Sequence, residues 1–223
     1  MKALKVISLF LVAGLCSAAA SLFLGWLYLP SLFFFAGLAL FLGLAAAFGV
    51  ACACGWLQPP RNRIRCWEAL GLIVLGYPAA ELFGTIMSLF CEALLYVLPP
   101  AWHEALKSYE PVPMIGLLSF WGSLAAAFCV NSAIMVISER WSNRTMVSLS
   151  IAGTVTTIVA MAVYAPNYTA TEGFAAKYRE LVLFGVLLPL GDVLFSVITG
   201  YALATAAVPV TAEVAKSAAA ARG

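Results

Sequence analysis

CWEALGLIVLGYPAAELFGTIMSLFCEALLYVL, residues 66–98, is the stretch whose reading decides the fold. At three- and four-residue steps it gives Tyr77, Glu81, Thr85, Ser88, Glu92 and Tyr96. Those positions stack along one side of an α-helix, so a polar stripe climbs a segment otherwise built of Leu, Ile, Val, Phe and Ala. Its length suits a bilayer-spanning helix, which needs about 20 apolar residues. An ionised carboxylate at the bilayer centre costs about 2.5–3.5 kcal/mol on insertion scales. Glu81 is therefore expected to face protein or water, either as part of a buried hydrogen-bonding seam or in a lined site.

The composition around this stretch agrees. The chain has 223 residues, 64% hydrophobic and 10% charged, where soluble domains average about 25% charged. The pattern predicts an all-α polytopic membrane protein forming one domain over residues 1–223, with helices near 5–29, 32–57, 66–98, 114–138, 146–165 and 181–208. The first segment has a basic start and an Ala18-Ala19-Ala20 run, which also fits a secretory signal. Its apolar run continues through Leu29, longer than a signal core, so an uncleaved spanning helix is expected. Gly14, Ala18, Ser21 and Gly25 in segment one, and Ala39, Gly43, Ala47 and Ala51 in segment two, are small residues at helical spacing. They suit close helix packing, within the chain or against a partner membrane subunit.

Lys and Arg in the short loops set the orientation. The N-terminus carries two, loop 58–65 three, loop 139–145 two and the tail two, against none at 30–31, one in 99–113 and two in 166–179. The alternation fits six spans with both termini in the cytoplasm and predicts a multi-pass protein of the inner (plasma) membrane.

Segment six echoes segment three. Pro78-x-x-Glu81-x3-Thr85-x2-Ser88 recurs as Pro189-x-x-Asp192-x3-Ser196-x2-Thr199. Proline removes a helix hydrogen bond and frees a carbonyl, a defect that must be answered inside a membrane. Each segment is third in a set of three, so the halves would insert in opposite senses. That is the layout of inverted-repeat transporters with a midplane site. Segments one and four, and two and five, give no comparable match. At about 1.5 Å per residue, Glu81 and Asp192 fall near mid-depth, Glu92 nearer the outer surface and Asn131 nearer the inner one.

Enzyme motifs are sparse. His103 has no second imidazole nearby, and Cys52-x-Cys54 with Cys66 is a weak soft-metal pattern. No phosphate loop is present, no cofactor is called for, and a net charge of +2 does not suggest nucleic acid. The expected function is a small transporter, or a transporter's membrane subunit, that handles H⁺ or a cation-coupled small solute. Its site residues would be Glu81, Asp192, Thr85, Ser88, Ser196, Thr199, Glu92 and Asn131, whose hard oxygens favour H⁺, Na⁺ or Mg²⁺. The alternative is a non-catalytic subunit that docks on a larger membrane complex through helices one and two.

Overall fold

A computed structural model describes residues 2–26, 33–57, 63–95, 112–139, 141–164 and 188–206, and the single positions 97, 99 and 101. The described chain is all helical, in six helices: α1 (Lys2–Trp26), α2 (Phe33–Ala53), α3 (Arg63–Leu95), α4 (Val112–Ser138), α5 (Asn143–Tyr164) and α6 (Leu188–Ala206). Three stretches among the described residues are long and apolar enough to cross a membrane: Lys2–Phe23, Arg65–Cys91 and Phe120–Ser138. Shorter apolar helices cover Gly37–Ala53 and Pro189–Thr205. This is a membrane protein by the length and composition of its helices.

The helix ends follow local chemistry. α2 stops at Ala53, four residues before the apolar run does, because Gly55 turns left-handed at φ 63°. The Trp56 N–H then donates to the Ala51 carbonyl at 2.9 Å, closing the helix with its last carbonyls satisfied. α5 begins at Asn143, three residues before the expected start, because Ser142 caps it. The Thr145 N–H donates to Ser142 Oγ at 3.2 Å. α4 ends where Glu139 adopts a left-handed φ of 57°, a conformation that costs a non-glycine residue about 1–2 kcal/mol. Its carboxylate is held there by an ion pair to Arg65 at the start of α3. α3 runs unbroken through Pro78, so the carbonyl one turn back, on Val74, has no helical donor. Pro189 lies in the first turn of the described part of α6, and the residues ahead of it that would reveal a mid-helix break lie outside the described residues.

Each helix packs on the next, and α6 closes on α1, giving a ring of antiparallel neighbours. Backbones approach closely at small residues. Gly43 of α2 lies against the Ala13 carbonyl of α1, Gly122 of α4 against the Ala80 carbonyl of α3, and Gly14 of α1 against Ser196 and Val193 of α6. The pairings fall into matched tiers. α3 with α4 and α6 with α1 are the most extensive, α4 with α5 and α1 with α2 come next, and α5 with α6 and α2 with α3 are the lightest. Inside the ring, Phe41 of α2 bridges the third and sixth helices. Its ring centroid lies 6.4 Å from that of Tyr77 and 6.0 Å from that of Phe195.

The core is Ala-, Leu- and Phe-rich, with Phe10, Leu44, Phe48, Ile73, Val130, Leu149 and Leu203 fully enclosed. The outer surface is equally apolar: Leu75, Leu82, Leu89, Phe90 and Leu94 of α3 stand exposed. In lipid, apolar burial gives helices little reason to associate. Packing and interhelical hydrogen bonds must hold them, which makes the few polar contacts inside the ring important.

Candidate functional site

The polar stripe of α6 faces α1. Asp192, Ser196 and Thr199 lie at i, i+4 and i+7, and all three are buried. Opposite them α1 presents Phe10, Gly14, Ser17 and Ser21, also at helical spacing and also buried. Gly14 is required for the approach. A Cβ there would stand 2.9 Å from the Ser196 Cβ and 3.0 Å from the Val193 Cα, well inside van der Waals contact.

At the centre of this interface the Ser17 Oγ donates to Asp192 Oδ2 at 2.8 Å and the Ser21 Oγ donates to the same oxygen at 3.0 Å. Oδ1 receives neither. Asp192 is 8% exposed, and no Lys, Arg or His stands against it among the described residues. A buried carboxyl with neutral donors and no countercharge must be compensated by a proton or a bound cation, because an isolated buried anion costs several kcal/mol. One turn on, Ser196 Oγ is buried without a hydrogen-bond partner. Thr199 instead donates its hydroxyl proton back to the Phe195 carbonyl at 2.8 Å, a local bond that leaves its oxygen lone pairs as its only remaining capacity.

The other expected residues are distributed more widely. Glu81 is half-buried on α3, one helical turn from half-buried Tyr77. Among the described residues it has no pair of donors like Ser17 and Ser21. Thr85 is exposed on the outer side of α3 while Ser88 is fully buried with an unpartnered hydroxyl, so the two hydroxyls of that stripe sit in different surroundings. Asn131 on α4 is fully buried, and neither of its amide atoms has a partner. Glu92 belongs to α3, but its side chain lies outside the described residues, as do His103 and the loop around it. The small-residue faces of α1 and α2 point inward: Gly14, Ala18, Ser21, Ala47 and Ala51 are all buried within the chain.

The neighbouring packing of the helices sets relative depth. Ala80 lies beside Gly122, Tyr77 beside Gly37, Ala13 beside Gly43, and Ser17 and Ser21 beside Asp192. Followed around the ring, these contacts bring Glu81 and Asp192 to about the same level. Their surroundings differ: Asp192 faces its antiparallel partner α1 and is buried, whereas Glu81 is half-buried on α3.

Ser17 and Ser21 are the partners of Asp192 that the sequence does not single out: Ser21 passes as a small packing residue, and Ser17 stands outside the packing face read from segment one. Once they are singled out, a pattern emerges. Gly14-Leu15-x-Ser17-x3-Ser21-Leu22 in α1 recurs as Gly116-Leu117-x-Ser119-x3-Ser123-Leu124 in α4. Segments one and four therefore share these five positions in the sequence. Ser123 packs against Gly153 of α5, and the Ser119 side chain lies outside the described residues.

No protein-family model, curated protein or solved structure matches the chain. The site therefore has to be read from its own chemistry.

Proposed function

We propose that the chain is a small six-span carrier of the inner membrane, or the membrane subunit of one, with both termini cytoplasmic. In this reading the whole chain is one membrane domain, and Asp192 takes up and releases H⁺ or a small hard cation as a solute crosses. The observation that carries the reading is the Asp192 carboxyl, enclosed between α1 and α6 with two hydroxyl donors on one oxygen and no countercharge among the described residues. A purely structural interface gains little from an acid here, since a neutral Asn or Thr would bond the same serines without the burden of a charge. Ser17, Ser21 and Ser196 would supply the remaining oxygens, Glu81 would act as the corresponding acid of the other half, and Ser88 and Asn131 would line the path.

A 3+3 inverted repeat is part of the proposal. Its supports are the matched proline–acid–hydroxyl pattern of the third helices and the Gly-Leu-x-Ser-x3-Ser-Leu pattern of the first. The tiers of helix pairing add to them, because exchanging the two halves exchanges α3–α4 with α6–α1, α4–α5 with α1–α2, and α5–α6 with α2–α3. Rocking of such halves about a fixed site is the general route to alternating access.

The test is reconstitution into sealed liposomes containing a pH-sensitive dye, with a panel of small solutes added under an imposed Na⁺ or proton gradient. The proposal expects at least one solute to drive ion-coupled flux that D192N abolishes while the variant still elutes as a folded species. Flux in D192N equal to that of the unaltered chain would overturn it.

A second reading, a subunit docked on a larger complex, is favoured by one observation. The outer face of α3 carries half-buried Glu81 beside exposed Thr85, Pro78 and Leu82, the last 66% exposed. A carboxylate at a lipid-facing edge is costly unless another chain covers it. Because the small faces of α1 and α2 are already consumed inside the ring, a partner would sit on α3.

A further inference from the structure

We infer that Cys52 and Cys66 form a reversible disulfide site joining the end of α2 to the start of α3. Two independent observations meet here. The first is helix register: Phe41 and Tyr77 face each other across the α2–α3 interface. Eleven residues make three turns to within about 20°. The same count forward along α2 and backward along α3 leads from Phe41 to Cys52 and from Tyr77 to Cys66. The second is proximity, since the Cys66 thiol lies near enough to Cys52 to act on it. Both are free and partly accessible.

The surroundings put this pair at the water boundary and not in the bilayer centre. Lys2 Nζ donates to the Gly55 carbonyl at 3.3 Å, and Lys5 Nζ lies 5.5 Å from the Trp56 ring centroid. Arg65, next to Cys66, pairs with exposed Glu139. Lysine, tryptophan and arginine gathered at helix ends mark a membrane interface, where a water-soluble oxidant reaches the thiols.

The co-reactant is a small soluble disulfide of the glutathione class. One thiolate attacks it and forms a protein–glutathione mixed disulfide, releasing one glutathione thiol. The second cysteine attacks the protein sulfur of that mixed disulfide and releases a second glutathione thiol. Two cysteine thiols are oxidised to one S–S bond, one glutathione disulfide is reduced, and the two protons leave on the released thiols. The bond would clamp one of the lightest helix pairings in the ring, and a reductant would reopen it.

The experiment treats the purified full chain in mild detergent with glutathione disulfide, then reads intact mass and a non-reduced peptide digest. The dominant product is expected to lose two hydrogens and to yield one peptide joining Cys52 to Cys66. C54S retains that product, whereas C52S and C66S accumulate glutathione adducts in its place. Separate adducts on Cys52 and Cys66 in the unaltered chain, a bond through Cys54, or no reaction would each overturn the inference. Because the readout is covalent, it is independent of whether the chain transports anything.

Discussion

Ser17 near the start of the described chain donates a hydrogen bond of 2.8 Å to Asp192 near its end, 175 residues away. With the parallel bond from Ser21 at 3.0 Å, this contact closes the ring of helices at its polar point. Interhelical hydrogen bonds in membranes average about 0.6 kcal/mol and reach about 1.7 kcal/mol. S17A and S21A are each expected to lower stability by about 1 kcal/mol, and the double variant by more than the sum, since only the loss of both hydroxyls leaves the buried oxygen unpaired. Reversible unfolding in mixed micelles measures it; strict additivity would separate the two serines from a shared acceptor.

Glycine substitutions test the packing independently of any charge. At Gly14 an added methyl would meet the α6 backbone at 3.0 Å, while at Gly49 nothing lies within 4 Å. G14A is expected to cost about 1–3 kcal/mol through overpacking. G49A should stabilise by about 0.5–1 kcal/mol, as alanine does in a helix interior. Thermal midpoints of the two variants in one detergent give the comparison, and a reversed order would contradict the α1–α6 contact.

Asn131 offers a stability–function trade. Its amide is fully buried with neither polar atom bonded, and an unsatisfied buried polar group costs about 1–3 kcal/mol. N131L is expected to raise the thermal midpoint while lowering any solute-driven flux in liposomes, because the amide would line the path. A variant that is both more stable and fully active would remove Asn131 from the site.

Topology follows from labelling. The proposed arrangement of six spans with cytoplasmic termini would put Cys54, exposed just beyond α2, on the opposite side of the membrane from residue 103. In a background lacking the other cysteines, a membrane-impermeant maleimide added to intact spheroplasts should label H103C and spare Cys54. The converse pattern would invert the orientation, and labelling of both would break the six-span arrangement.

Much of this architecture is legible in the sequence because a bilayer imposes length and polarity on every segment. Apolar runs, charged loops and the proline–acid pattern needed no tertiary information. Boundaries were less legible where one residue overrides the run: the positive φ of Gly55 ends α2 early, and the Ser142 cap starts α5 early. The partners of Asp192 were illegible for another reason. Serine is small enough to pack and polar enough to donate, and only the arrival of α6 against α1 decides which role Ser17 and Ser21 play. Likewise Thr85 and Ser88 share a stripe in the sequence, yet one is exposed and the other enclosed, because the neighbouring helices cover only part of α3.

A carrier of this kind must exchange a proton or cation at Asp192, and infrared difference spectroscopy of the carboxyl tests that most directly. Spectra of the chain in lipid would be recorded while pH is stepped and while Na⁺ is added, with D192N assigning the band. A carboxyl signal that D192N removes, and that responds to pH or to Na⁺, is the predicted result. A band assigned to Asp192 that stays fixed under both would make it a static hydrogen-bond acceptor and contradict the carrier.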